Sequence, residues 1–169
     1  HDSGITHVIR GEEHISNTQR QIIIIEALGF SRPVYAHIPL ILAPDRSKLS
    51  KRHGAISLNE YRAEGFVAEA LVNYLALLGW NPGGERELFS LAELVRAFDI
   101  TQVQKSGAIF DLQKLRWFNH SYLKKLDAEE YEARFAEYIK TEKKAAPPAY
   151  LSQAIRIVQE RGETFGHAF

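Results

Sequence analysis

The sequence predicts an α/β layer that gives way to an all-helical region. Three observations carry this. Residues 5–9 (Ile-Thr-His-Val-Ile) form a β-branched run, residues 19–28 read as a helix, and residues 34–42 read as a second extended segment. Beyond residue 57 the apolar residues recur at helical spacing. Two Ser-x-x-Glu capping boxes, Ser57 with Glu60 and Ser90 with Glu93, mark helix starts there.

In chain order, Ser16, Asn17 and Thr18 are helix-start residues ahead of the 19–28 helix, and Gly29 occupies a C-cap position. Pro39 interrupts the second extended segment, since it cannot donate to a ladder. Strand, helix, strand make a βαβ-like unit. Residues 43–47 form a turn and residues 48–54 a polar, basic loop. Residues 66–78 carry Ala70, Leu71, Tyr74, Leu75 and Leu78 on one face of a helix that Gly79 ends. Ser90 opens a helix to about residue 98. Asp111 opens another, with Leu112, Leu115, Phe118 and Asn119 on one side. Asp127, followed by Glu129 and Glu130, opens one running to about residue 140. Residues 143–148 read as a linker and residues 150–159 as a last helix. Trp80 and Trp117 read as core side chains rather than base-stacking platforms.

The 169 residues carry 21 Lys+Arg against 21 Asp+Glu, a formal net charge of zero. That excludes a strongly basic nucleic-acid protein but leaves room for a local basic patch. The absence of cysteine excludes disulfides, thiolate metal ligands and cysteine nucleophiles. The longest apolar run, residues 22–25, is far too short to span a bilayer.

The sharpest chemical feature is residues 48–52, Lys48-Leu49-Ser50-Lys51-Arg52. Three cations and a hydroxyl in a loop make an anion site: lysine is a mobile point charge and arginine a planar fork. Closing over a polyphosphate, such a loop stabilises charge in phosphoryl or nucleotidyl transfer. Without further context the same residues are a solvated basic turn.

Four stretches in order supply that context. They are residues 5–14 (ITHVIRGEEH), 48–54 (KLSKRHG), 74–80 (YLALLGW) and 110–117 (FDLQKLRW). Together they resemble bacterial glutamyl-tRNA synthetases, of class I, with residues 48–52 similar to the KMSKS motif and Leu49 in place of Met. The resemblance implies the C-terminal part of a Rossmann-type catalytic domain over residues 1–55. A helical stem-contact domain over 56–126 and the start of a helical anticodon-binding domain over 127–169 follow. It implies ATP-dependent activation of glutamate to glutamyl-adenylate and transfer to tRNA(Glu), with Mg²⁺ as the ATP counter-ion. It also implies a cytoplasmic, monomeric enzyme with no membrane partner.

Carried over by position, Lys51 binds the ATP phosphates with Lys48, Ser50 and Arg52 beside it, Lys48 and Lys51 being the catalytic pair. Leu40 and Ile41 flank adenine or are plain strand residues. His14 contacts ATP or substrate. Arg10 pairs a carboxylate of glutamate, against the alternative of a surface arginine paired with Glu12 or Glu13. Lys105, Lys114, Arg116, Lys124 and Lys125 are phosphate contacts for tRNA, each otherwise an ordinary solvated side chain. The family's HIGH signature is absent, because His14-Ile15-Ser16-Asn17 lies inside the Arg10 stretch and too near Lys48. The first half of the nucleotide fold is therefore expected before residue 1, and this chain alone is expected to be inactive. No metal site is expected in it. The alternative function is a non-catalytic tRNA-binding module derived from a synthetase.

Overall fold

The computed structural model describes residues 2–50, 57–142 and 151–168. Lys51, Arg52 and the linker at 143–148 lie outside the described residues. The chain divides into two compact units.

Unit 1 comprises residues 1–49, 78–81 and 99–110. Strand β1 (His7–Gly11) pairs in parallel with β2 (Val34–Ile38), Arg10 opposite His37. A 3-10 turn, Glu12–His14, runs directly into helix α1 (Ile15–Ala27). Strand β1 therefore lies two residues later than the β-branched run suggests. Helix α1 starts at Ile15 with no side-chain cap, so Ser16, Asn17 and Thr18 sit inside its first turn. The reason is that the turn already delivers a helical amide to Glu12 O, while the Thr18 hydroxyl is used elsewhere. Gly29 ends α1 at φ +69°. Its amide bonds to Glu26 O and that of Phe30 to Ile25 O, a Schellman closure that favours glycine.

Beyond Pro39, β3 (Ile41–Leu42) pairs in parallel with a short strand absent from the sequence reading, β4 (Ala108–Ile109). Gly107 permits it, since a Cβ there would lie 2.8 Å from Leu42 Cδ1. The turn at 43–47 doubles the chain back. Asp45 Oδ1 accepts from Ser47 N and Oγ, and Arg46 takes φ +65°. Lys48 then bridges antiparallel to Leu42, and Leu49 N bonds to Ile41 O.

Unit 2 comprises residues 50–77, 82–98 and 111–169. Its helices are α2 (Leu58–Ala63), α3 (Ala68–Gly79, whose end enters unit 1), α4 (Leu91–Ala97), α5 (Leu112–Lys125), α6 (Ala128–Thr141) and α7 (Leu151–Arg161). Ser57 and Ser90 form complete capping boxes with Glu60 and Glu93, and Asp111 and Asp127 cap α5 and α6. Helix α3 starts two residues later than its apolar spacing suggests, and just ahead of it Val67 N donates to Asn119 Oδ1 at 2.8 Å.

Tyr131, Phe135, Tyr138 and Phe165 pack as one aromatic cluster, and Leu115, Phe118 and Leu123 are fully buried on α5. Gly65 at φ +87° lets Phe165 N bond to Gly65 O. A Cβ there would lie 2.5 Å from Gly166 N. Trp80 is 1% exposed, as a core residue should be, but Trp117 is 46% exposed and is not core. It lies on the outer side of α5, edge-on to Phe118.

Candidate functional site

In unit 1 the end of β1, the first turns of α1, β2 and the turn leading to Lys48 carry the candidate site. The Arg10 guanidinium is held by neutral oxygens. Its Nη2 donates to Thr18 Oγ1 at 2.6 Å and to Gln21 Oε1 at 2.8 Å. Its carbon lies 5.5 Å from the centre of the Tyr35 ring, within cation–π range. The sequence alternative of a pair with Glu12 or Glu13 does not form. Glu12 Oε1 accepts from Leu40 N at 3.2 Å, and Glu13 Oε1 takes Lys48 Nζ at 3.0 Å. Among the described residues, no carboxylate pairs with Arg10, and its buried Nε has no partner. A half-buried cation with its charge unneutralised and its rotamer tied is suited to a carboxylate or phosphate ligand.

Lys48 is fixed at its backbone by β3 and reaches back to Glu13. Glu13 lies over Gly11, where a Cβ would clash with Glu13 Oε2, so Gly11 leaves the room this carboxylate occupies. A hydrogen bond from its own backbone amide, then the Lys48 ammonium, hold the Glu13 carboxyl below its ordinary range. Both partners are exposed, so solvent screens the pair and it exchanges readily for a stronger anion.

The structure thus sets Arg10, Glu13 and Lys48 on unit 1. Leu40 is half-buried and Ile41 is 38% exposed on the same unit. His14 is exposed, its Nδ1 3.4 Å from Asn17 Nδ2. Ser50 is half-buried, and Lys51 and Arg52 lie outside the described residues. Lys105 also belongs to unit 1, lining a cavity of about 430 Å³ with Glu12, His37 and Gln104. In unit 2, Lys114 pairs with Glu87, Arg116 approaches Glu163 at 3.9 Å, and Lys125 lies over the Tyr122 ring; Lys124 is exposed beside it. Among the described residues no group of three or more His, Asp or Glu is placed to hold a metal ion. No helix among them is long and apolar enough to cross a membrane.

Sequence reasoning missed Thr18, Gln21 and His37. The one available signal was the strand pairing, which puts His37 across from Arg10.

Residues 1–117 match the family model for tRNA synthetases class I (E and Q), catalytic domain. The chain is 49% identical over 165 residues to a glutamate–tRNA ligase of Desulforamulus reducens, covering 94% of this chain and 34% of that protein. It is 60% identical over 121 residues to the glutamate–tRNA ligase of Carboxydothermus hydrogenoformans, covering 72% and 25%. A crystal structure of a glutamate tRNA ligase from Elizabethkingia meningosepticum in complex with its amino acid superposes with TM-score 0.81. It shows 32% identity, over 99% of this chain and 37% of that one. The glutamate–tRNA synthetase of Elizabethkingia anophelis gives 0.82 at 32% identity, over 99% and 38%. The chain spans from a quarter to somewhat over a third of the length of these relatives.

Proposed function

The chain belongs to the class I tRNA synthetases (E and Q), in their catalytic-domain family, and on that premise we propose that it is the part of a glutamate–tRNA ligase that holds the glutamate side of the site and the KMSKS-type loop. A carboxylate oxygen of glutamate attacks the α-phosphorus of ATP. The bond to the β-phosphate oxygen breaks, and pyrophosphate leaves with the electron pair. A ribose hydroxyl at the tRNA 3′ end then attacks the acyl carbon, loses its proton, and AMP leaves.

Arg10 orients a carboxylate of glutamate. Lys48 exchanges Glu13 for ATP phosphate; Lys51, Ser50 and Arg52 serve the same phosphates, and Leu40, Ile41 and His14 serve the nucleotide. Mg²⁺ arrives with ATP as part of the substrate. Charge placed before reaction stabilises the pentavalent phosphorus without reorganisation. Residues 1–55 serve this chemistry. Residues 56–126 meet the tRNA stem and residues 127–169 begin the anticodon-binding helices, with Lys105, Lys114, Arg116, Lys124 and Lys125 meeting phosphates.

The observation that carries the reading is Arg10, whose guanidinium is fixed by Thr18 and Gln21 and left without a carboxylate among the described residues. The test is charging by the full-length gene product, following labelled glutamate onto tRNA with glutamine as control. Transfer of glutamate is expected. A folded protein that binds tRNA and charges neither amino acid overturns the ligase reading in favour of a tRNA-binding module.

A further inference from the structure

The Thr18 hydroxyl has one proton to give and two lone pairs to fill. It meets three groups: His14 O at 3.1 Å, Arg10 Nη2 at 2.6 Å and His37 Nε2 at 2.8 Å. The carbonyl of His14 can only accept, so the hydroxyl donates there. Arginine can only donate, so one lone pair takes Arg10. The second lone pair pairs with His37 Nε2 at 2.8 Å, the imidazole donating in the tautomer that carries hydrogen on Nε2. No capacity is left on the hydroxyl, and it cannot rotate without breaking a bond. Thr18 is itself only 7% exposed. Gln21 supplies the second acceptor to Nη2 from the next turn of α1. The ring of Tyr35 lies below the guanidinium and is parallel to that of His37, at 3° between planes.

We propose that Thr18, saturated by His14 and His37, is a positioning residue that locks Arg10 in the rotamer that receives the glutamate carboxylate, with Gln21 as its second anchor. The proposal rests on the reading of Arg10 as the glutamate-binding arginine. Its physical content is preorganisation. An arginine side chain is rich in rotamers, and two acceptors on Nη2 remove that freedom before substrate arrives. Both are neutral, so the cationic charge stays available to the ligand through Nη1. A carboxylate anchor in place of Thr18 would hold Arg10 as firmly and cancel that charge. The choice of a hydroxyl and an amide at positions 18 and 21 is therefore what distinguishes a held receptor from a structural ion pair.

The experiment uses the full-length enzyme and measures glutamate-dependent pyrophosphate exchange for Arg10→Ala, Thr18→Val, Thr18→Ser and Gln21→Leu. Thr18→Val keeps the shape and removes the acceptor. It is expected to raise the glutamate KM roughly 10- to 100-fold, the range of a hydrogen bond to a charged group, with the ATP KM unchanged. Thr18→Ser restores the parent value within about threefold, since it keeps the hydroxyl. The His37 ¹⁵N signals report the Nε2 hydrogen bond to Thr18 in the parent and shift in Thr18→Val. Gln21→Leu, at an exposed position, raises the glutamate KM less and remains informative where Thr18→Val does not fold. A raised KM in Arg10→Ala with unchanged values in Thr18→Val, or in Gln21→Leu where that alone folds, overturns the positioning role. An unchanged KM in Arg10→Ala overturns the glutamate reading itself, and the positioning role with it.

Discussion

Asn119 is the residue on which the helical unit most depends for a polar contact. It is fully buried on α5, and its amide serves two distant segments. Oδ1 accepts from Val67 N at 2.8 Å, just before α3, and Nδ2 donates to Glu163 O at 2.7 Å, just after α7. Asn119→Leu keeps the volume and strips both bonds. The amide of Val67, a buried residue, is then left without an acceptor, at a cost of about 1–3 kcal/mol. The Glu163 carbonyl is half-buried and turns partly to water, adding about 1 kcal/mol. The sum of about 2–4 kcal/mol is a large share of the roughly 5–15 kcal/mol that holds a domain. Urea titration should show a lower midpoint at unchanged slope. Hydrogen exchange at Val67 should accelerate more than at neighbouring amides. Asn119→Asp sharpens the test. A protonated Asp can still donate to Glu163 O, whereas the ionised form faces that carbonyl with a buried charge. Its folded pKa is raised above the unfolded value, so its stability is greatest below the ordinary carboxylate pKa of about 4 and falls as pH rises toward the folded pKa. A loss under about 0.5 kcal/mol in Asn119→Leu, with Val67 still protected, refutes the argument.

Three further outcomes are expected. Glu13→Gln removes the ion pair that occupies Lys48, so the ATP KM of the full-length enzyme should fall about two- to fivefold, the worth of one exposed pair, with the glutamate KM unchanged; a rise in the ATP KM would instead make Glu13 a nucleotide ligand. Glu93 is held at about 2 by the Arg86 guanidinium, then by the Ser90 amide and hydroxyl, so its contribution is fully present above pH 4.5 and lost as pH falls through about 2. Arg86→Ala should return its titration by NMR toward the ordinary range, and an unmoved titration would assign the shift to the cap alone. Lys51→Ala should lower adenylate formation far more than tRNA binding, and equal losses would remove Lys51 from the phosphate site.

What the sequence revealed was local. Both Ser-x-x-Glu boxes close as read, because four consecutive residues contain every atom involved. Asp111, Asp127 and Gly29 are legible for the same reason. The start of α1 was misread because Thr18 looks like a cap, yet its hydroxyl is spent on Arg10 and His37, a demand set by the pairing of two strands. Strand β4 was missed because two residues carry no periodicity, and Gly107 marks a close backbone approach without naming its partner. The return of residues 78–81 and 99–110 to unit 1 is likewise a long-range choice that spacing does not encode. Trp117 was assigned to the core on residue type, but helix phase turns it outward beside the buried Phe118. Arg10 could be placed by resemblance alone. Its freedom from Glu12 and Glu13 needed coordinates, since both carboxylates lie close enough in sequence to pair with it and are drawn away by Leu40 N and Lys48.

The two units differ in what makes them rigid, and that decides how variants in each should be read. Unit 2 buries Tyr61, Leu115, Phe118, Tyr131 and Phe165, and tolerates exposed charge around them. Unit 1 leaves Ile5, Ile9, Ile23, Ile24, Leu28 and Val34 exposed in this chain. Its strands β1 and β2 run parallel, an arrangement that proteins normally cover on both faces. Within this chain, side-chain bonds hold the Arg10 end of β1. Polar bonds do that work: Thr18 to Arg10, His37 to Thr18, Glu12 to Leu40 N, and Glu13 to Lys48. Each such bond acts first on the rotamer of a side chain at the site. Substitutions in this network should accordingly appear as changes in substrate affinity, whereas those at Asn119 or the aromatic cluster of unit 2 should appear as loss of folded protein.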